Sequence, residues 1–314
     1  MFVASCPLRV SLFGGSTDNP YFVEKYGTGA VISFTSNLKV YATISQDKIG
    51  FNKEGNKYII NYSKREEVSS VDDIENEVVR VVLKHFNMPP VQVTLTSDVY
   101  SQGSGLASSS AYTISLIKAC CLFLGGDITD SSACKLAFEL ERQYNPYCGY
   151  QDPYGCGVGG FKLMNFTTSA VTYEFLSTDV FQIYDMHLVF TGITRNSREV
   201  LQSVTKNLDK VKPLLETTSR AYDALERKDY GAFLKLLNTG WEEKKRTSSQ
   251  IANNNTIIEM DEKLSKNPTV VAHKLCGAGN GGFFLLFSKK NTLDVPYNRV
   301  KINVEPKGVY GELI

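Results

Sequence analysis

Strand-like and helix-like runs follow one another along the chain without strict alternation. RVSLF (9–13) and AVISFTSNLKVYATIS (30–45) cluster or alternate β-branched and aromatic residues, the pattern of strands. DKIGFNKEGNKYIINYS (47–63) sets a Gly-Asn turn signal between two strand-like runs and predicts a hairpin. SSVDDIENEVVRVVLKHFNM (69–88) opens on Ser and Asp, has acids in its first turn and stops before Pro89-Pro90, which predicts a helix. VQVTLTSDV (91–99) reads as a strand. SSAYTISLIKACCLFLGG (109–126) keeps apolar residues at helical intervals up to a Gly-Gly stop. DSSACKLAFELERQY (130–144) predicts a second helix. GYQDPYGCGVGGFKLMNF (149–166) reads as a glycine-rich turn region running into a strand, and YDMHLVFTGI (184–193) as a strand. Residues 196–226 and 229–266 read as helical and amphipathic, and AHKLCGAGNGGFFLLF (272–287) as a glycine loop before a buried strand.

Strands mixed with helices, then helices, then strands again predict an α+β fold. The polar stretch TTSAVTYEFLSTD (167–179) divides it into units of 1–175 and 176–314.

Composition narrows the function classes. A net charge of +1 argues against a broad nucleic-acid or anionic-membrane surface, though a small phosphate pocket remains open. No apolar run approaches the roughly 18 residues needed to cross a bilayer. MFVASCPLRV has no signal-peptide pattern, so a cytoplasmic location is expected. The seven cysteines form no C-x-x-C pair, and with only His85, His187 and His273 no zinc spacing arises. Buried reduced thiols are expected.

The chemistry concentrates in three glycine-bearing stretches. SQGSGLASSSAYTISLIKA (101–119) runs from Gly103 and Gly105 through Ser108, Ser109 and Ser110 straight into an apolar helix. A glycine turn at a helix N-terminus presents N–H groups and the positive end of the dipole to an anion. Serines there can cap the helix or offer hydroxyls to phosphate or metal. The stretch lacks the Gly-Lys-Ser/Thr of a Walker loop and the third glycine of a dinucleotide fingerprint. The others are CPLRVSLFGGSTDNPYF (6–22), a strand ending in Gly-Gly with Asp18 just beyond, and KLCGAGNGGFFLLF (274–287).

In this order the three stretches resemble the three motifs of the GHMP small-molecule kinases, and the resemblance spans the chain. Residues 6–22 resemble the N-terminal P-x-R-V-x-L-x-G-x-x-T-D motif. GSGLASSSA (103–111) resembles the phosphate loop, with Ala107 where the family commonly has glycine, and CGAGNGGFFLL resembles the G-A-G-x-G-G motif. The resemblance implies an N-terminal ribosomal-protein-like α+β domain with a left-handed βαβ crossover, a ferredoxin-like C-terminal domain, and a cleft between them. It implies ATP and Mg²⁺ as cofactors. YSKREEV, LERQ…GYQDPYG…GGF and FTGITRNSREVL resemble the branch that phosphorylates the anomeric hydroxyl of D-glycero-D-manno-heptose 7-phosphate for nucleotide-activated heptose and surface polysaccharide. Gly15 and Ser16 stand where galactokinases have Glu-His, which counts against galactokinase. Another fucose- or galactose-type kinase, a mevalonate-type kinase and a non-catalytic sensor stay open. The partner implied is a small sugar phosphate, with no nucleic acid or membrane, and a homodimer is left open.

Residue by residue, the resemblance implies that Gly103, Ser104, Gly105, Leu106, Ala107, Ser108, Ser109 and Ser110 cradle the nucleotide phosphates. Ser110 and Glu141 would hold Mg²⁺, a hard cation that takes few protein oxygens. Glu139 is a rival for that role on another side of the helix. Asp152 would serve as base or orienter of the hydroxyl, with Arg9 neutralising charge beside it. Asp18, an acceptor for sugar hydroxyls, would bind the acceptor with Ser16, Gly277 and Gly279. Thr194, Arg195 and Arg198, with Ser197, lie at a helix start that suits the 7-phosphate. YIINYS (58–63) could flank adenine or be strand core.

Overall fold

A computed structural model describes residues 1–46, 57–100, 103–194 and 197–314. Its strands are β1 (Phe2–Phe13), β2 (Gly29–Ser45), β3 (Tyr58–Asn61), β4 (Arg65–Val68), β5 (Gln92–Ser97), β6 (Phe161–Phe166), β7 (Val171–Phe175), β8 (Tyr184–Phe190), β9 (Ala272–Leu275), β10 (Phe283–Lys289), β11 (Arg299–Ile302) and β12 (Tyr310–Leu313). Its α-helices are α1 (Pro20–Tyr26), α2 (Glu77–His85), α3 (Ser108–Phe123), α4 (Asp130–Glu141), α5 (Gln151–Gly157), α6 (Asp179–Ile183), α7 (Ser197–Thr205), α8 (Lys212–Glu226), α9 (Tyr230–Thr247) and α10 (Asn255–Lys266).

The first sheet runs β12-β1-β2-β5-β3-β4, and β6 and β7 extend it from β2. β2 is long enough to pair β5 along residues 40–45 and β6 along residues 29–34. Only β3 and β5 pair in parallel among the described strands. The second sheet, β11-β8-β10-β9, is antiparallel throughout, in the strand order of a ferredoxin-like sheet. The fold is thus α+β, as expected, but sheet membership is not sequential, because β12 returns to β1.

α3 is the central helix. Ser110, Ala111, Thr113, Ile114, Leu116, Ile117 and Cys120 are all buried, so it is enclosed on every side. It packs on β1 and β2 and against α4 and α5, which fixes its N-terminus at one end of the first sheet.

Several local expectations need correction. The hairpin predicted over 47–63 falls largely on residues outside the described set, and Tyr58–Asn61 turns back onto Arg65–Val68 instead. The stretch 149–166, read as a turn region, contains α5. Pro153 sits in its first turn, where a missing N–H costs nothing. Gly157 is small for packing: a Cβ would lie 2.3 Å from Cys134 Sγ. TTSAVTYEFLSTD holds β7, the partner of β6. Tyr58 donates its hydroxyl to the Met88 carbonyl at 2.9 Å and is buried with Ile60, so YIINYS supplies strand core. All seven cysteines are free thiols, six of them buried. Among the described residues no helix is long and apolar enough to cross a membrane.

Candidate active site

The N-terminus of α3 opens onto a cleft lined by Arg9 of β1, by residues of α4, α5, α7 and α9, and by the loops at 16–19 and 277–278. Gly103 and Gly105 lead into it at φ 65° and 79°, and Ala107 follows at φ 61°, ψ 39°. The left-handed conformation costs a non-glycine residue about 1–2 kcal/mol. Ala107 therefore accepts, under strain, the geometry that glycine takes freely. No side chain caps α3, contrary to the capping role open to the serines. Ser104 Oγ accepts the Leu106 N–H at 3.2 Å and meets Ser108 Oγ at 3.0 Å. The first-turn N–H groups have no partner within the helix and sit at the positive end of its dipole, which is an anion site. Ser109 is exposed at its rim, 3.1 Å from the Tyr144 hydroxyl. Leu106 is fully buried in the core, so its side chain anchors the loop and does not line the cleft.

The third glycine stretch locks against this loop through main chain. Phe283 N–H donates to the Ser104 carbonyl at 3.2 Å. A Cβ on Gly282 would lie 2.3 Å from that carbonyl, and one on Gly105 would lie 2.5 Å from the Cys276 carbonyl. Backbone cannot yield there, and both glycines have positive φ. Gly105→Ala is expected to cost at least about 2 kcal/mol. It should also weaken ATP binding more than about tenfold, a loss of about 1.4 kcal/mol. A thermal melt with a nucleotide titration reads both effects. Gly277 lines the cleft, whereas Gly279 faces Ile251 behind it.

Glu141 ends α4 opposite the first turn of α3. Ser110 Oγ donates to its Oε2 at 2.8 Å and Thr113 Oγ1 to its Oε1 at 3.4 Å. Burial pushes this carboxyl up to about 8; the charge of Asp152 pushes the same way, and the two hydroxyls oppose it. Glu139, its rival, is exposed. Among the described residues no group of three or more His, Cys, Asp or Glu forms a metal cage. Ser110 and Glu141 still offer two oxygens beside the anion site, which fits a cation that keeps water and phosphate oxygens as ligands.

Asp152 sits in the first turn of α5. Arg9, buried in β1, donates to its Oδ1 through Nη2 at 2.7 Å and Nε at 3.1 Å, and its Nη1 reaches the Gly105 carbonyl at 2.7 Å. One guanidinium thus ties the aspartate to the phosphate loop. Both bonds end on Oδ1, so Oδ2 keeps its lone pairs for another donor. Asp18 is buried and accepts from Ser16 N–H at 3.0 Å, Gln151 N–H at 3.0 Å and Gln151 Nε2 at 2.9 Å. Burial, and then the charge of Asp152, raise its carboxyl to about 6 against those hydrogen bonds.

The residues expected to hold the 7-phosphate are only partly described. Arg195 lies outside the described set. Thr194 is exposed and does not line the cleft. Arg198 reaches the rim, where it pairs with Glu77 at 3.4 Å. Two buried lysines were not foreseen. Lys244 of α9 lines the cleft and donates to the Gly277 carbonyl at 2.6 Å. Lys274 of β9 donates to the Leu12 carbonyl at 2.8 Å, and burial, then the charge of Lys244, pushes it down to about 7. Lys274 is the first residue of the third glycine stretch, a cue that could have been read. Lys244, one of five charged residues in EEKKR, carries no such cue.

Residues 74–160, which include the loop, α3, α4 and Asp152, match the GHMP kinases N terminal domain. A D-glycero-alpha-D-manno-heptose 7-phosphate kinase from Campylobacter jejuni subsp. jejuni serotype O:2 is 29% identical over 300 residues, covering 90% of this chain and 87% of the relative. Residues 74–160 thus carry a GHMP kinase N-terminal domain, and most of the chain is similar to a heptose phosphate kinase. The kinase domain and the kinase relative make the chain an enzyme, a sugar kinase. Solved GHMP kinases share the whole architecture. A D-glycero-D-manno-heptose 1-phosphate kinase from Bacteriodes thetaiotaomicron superposes with a TM-score of 0.75 at 22% identity, covering 100% of this chain and 99% of that one. The Methanococcus jannaschii mevalonate kinase gives 0.71 at 18%, covering 96% and 98%.

Proposed function

We propose that this kinase transfers the γ-phosphoryl group of ATP to the anomeric (C1) hydroxyl of D-glycero-D-manno-heptose 7-phosphate, giving the 1,7-bisphosphate. The observation that carries the reading is convergence. The uncapped N-terminus of α3, the Ser110–Glu141 pair and the Arg9–Asp152 pair all open on one cleft. The choice of sugar rests on the heptose 7-phosphate kinase that matches most of the chain.

In this reading the N–H groups of 103–110 hold the nucleotide phosphates, and Ser110 and Glu141 hold Mg²⁺. The bound cation offsets charge on the phosphate oxygens. Asp152 receives or orients the C1 hydroxyl proton, which places the oxygen in line with the phosphoryl group. Arg9 fixes Asp152 and faces the charge that develops on transfer. Asp18, held by Gln151 and Ser16, accepts from the sugar's other hydroxyls. Such a step would feed nucleotide-activated heptose for surface polysaccharide.

A coupled ADP-release screen over heptose 7-phosphate, fucose, galactose and mevalonate tests the assignment. The kcat/KM for heptose 7-phosphate should exceed the others by at least about 100-fold, as expected where binding groups lose their partner on the wrong substrate. Equal or better turnover of an unphosphorylated sugar, or of mevalonate, would replace it. ATP binding without turnover of any of the four would favour a sensor.

A further inference from the structure

Lys162 of β6 has no solvent exposure. Its Nζ donates to the main-chain carbonyls of Gly155 at 3.2 Å, Gly159 at 3.3 Å and Val158, and the Gly160 carbonyl lies at 3.4 Å. The titratable groups that face it are the thiols of Cys156, Cys134 and Cys6, with no carboxylate among the described residues. Burial pushes the ammonium down to about 8. A buried ammonium without a carboxylate is costly unless its hydrogen bonds are met. This one has three protons and four main-chain oxygens around it. A ring of main-chain oxygens in place of water is also how a desolvated potassium ion is held.

The ring is also held from outside. Thr35 N–H donates to the Gly160 carbonyl at 3.1 Å, Gly160 N–H to the Glu305 carbonyl at 2.9 Å, and Val309 N–H to the Gly157 carbonyl at 3.1 Å. A Cβ on Gly159 would lie 2.3 Å from the Pro306 carbonyl oxygen. Residues 305–309 thus clamp the loop after α5 from behind, and its oxygens stay turned toward the lysine.

The ring belongs to the helix that carries Asp152. Lys162 stands opposite Ser33 and Ser33 opposite Ser11, which lies two residues along β1 from Arg9. Paired residues and residues two apart share one face of a sheet. Arg9 and Lys162 therefore rise from the same face, beneath α5, and hold it at its two ends. Arg9 takes Asp152 in the first turn, and Lys162 takes the carbonyl of Gly155 and those of the loop beyond the last turn. Gly155 rests on Arg9, where a Cβ would lie 3.2 Å from Arg9 Cβ and Cγ. The same helix sends Gln151 N–H to Asp18 at 3.0 Å and Cys156 Sγ to the Ala107 carbonyl at 3.7 Å. A slip of α5 along its axis would move Asp152 relative to both Asp18 and the phosphate loop.

We propose that Lys162 is a positioning residue, a tethered monovalent cation that fills a carbonyl site at the end of α5 and so keeps Asp152 in register with the phosphate loop. The oxygens give the site its chemistry, so a free ammonium or potassium ion should enter it once the tether is removed. The assignment rests on the reading of Asp152 as the group that faces the acceptor hydroxyl.

The test compares the parent with Lys162→Ala, which empties the site, and Lys162→Met, which fills it without charge. Coupled ADP release reads kcat with the sugar that the substrate screen selects. Both variants should lose about 10- to 100-fold in kcat, since a misplacement of about 1 Å from a change far from the chemistry costs up to about 100-fold. KM for ATP should stay within about twofold. Ammonium or potassium chloride should raise kcat of Lys162→Ala at least about fivefold over tetramethylammonium chloride at equal ionic strength. The parent and Lys162→Met should change less than about twofold in the same salts. Lys162→Gln keeps two N–H donors and carries the kcat-against-KM comparison if the other variants do not fold.

A folded Lys162→Ala or Lys162→Gln with kcat within about twofold of the parent overturns the assignment. So does ammonium that restores the melting temperature of Lys162→Ala but not its kcat, because the cation would then serve the fold alone. Asp152→Asn run alongside separates this proposal from the reading beneath it. Loss of kcat in Asp152→Asn with none in Lys162→Ala retires the lysine's role and keeps the aspartate's. Parental kcat in Asp152→Asn retires both.

Discussion

Asp152→Asn is expected to lower kcat by about 10²–10⁴-fold, the range for loss of a positioned proton acceptor. KM for ATP should change little, because the phosphate loop does not depend on the aspartate. Asparagine keeps the shape, and its carbonyl oxygen can still accept from Arg9, whose third contact, to the Gly105 carbonyl, is main chain on one side. The fold should therefore survive. What disappears is the negative charge and the lone pairs of Oδ2. Steady-state kinetics by coupled ADP release reads the result, with a melt to confirm folding. A folded variant with parental kcat would take Asp152 out of the reaction, and with it the proposed geometry of the acceptor.

Glu141→Gln should separate stability from activity. Turnover should fall about 10²–10³-fold, the usual cost of removing one preorganised electrostatic contact, and more Mg²⁺ should be needed for half-maximal rate. Without Mg²⁺ the same variant should be more stable than the parent at alkaline pH. The sign follows from proton counting. The folded carboxyl titrates near 8 and the unfolded one near 4.5. Between those values the folded state holds a proton that the unfolded state has shed. Parental stability therefore falls as pH rises through that window. Glutamine does not titrate, so its advantage is absent near pH 4.5 and complete above pH 8. Urea melts at several pH values, without divalent cations, check this. Curves that run parallel across the window would mean that the carboxyl is not desolvated as described.

Much of this architecture is written in short-range pattern. The helix starting at the serines, its Gly-Gly stop, the α4 segment and the strands around 9–13, 91–99 and 184–193 all follow from periodicity and punctuation. The glycine stretches were legible as turns, the one at 101–119 opening a helix, but that Gly105 and Gly282 stand where two backbones nearly touch was not. α5 was misread because its two late glycines signal a turn, although Gly157 is small only to clear Cys134. A one-dimensional pattern does not distinguish a glycine that bends the chain from one that makes room. Lys244 and Gln151 were missed for a related reason. Each has an ordinary neighbourhood in sequence, and only the crossing of α9, α5 and β1 brings them together. Ala107 is the reverse case: its departure from glycine was visible in the sequence, and the structure shows the strained φ that the departure implies.

Part of the link between the two lobes is made of peptide groups, Phe283 N–H to Ser104 C=O, with Gly282 and Gly105 beside it. That part of the seam does not depend on the identity of the surrounding side chains. Side chains of the lobe built from α7 to α10 can therefore change without moving Phe283 relative to the loop before α3.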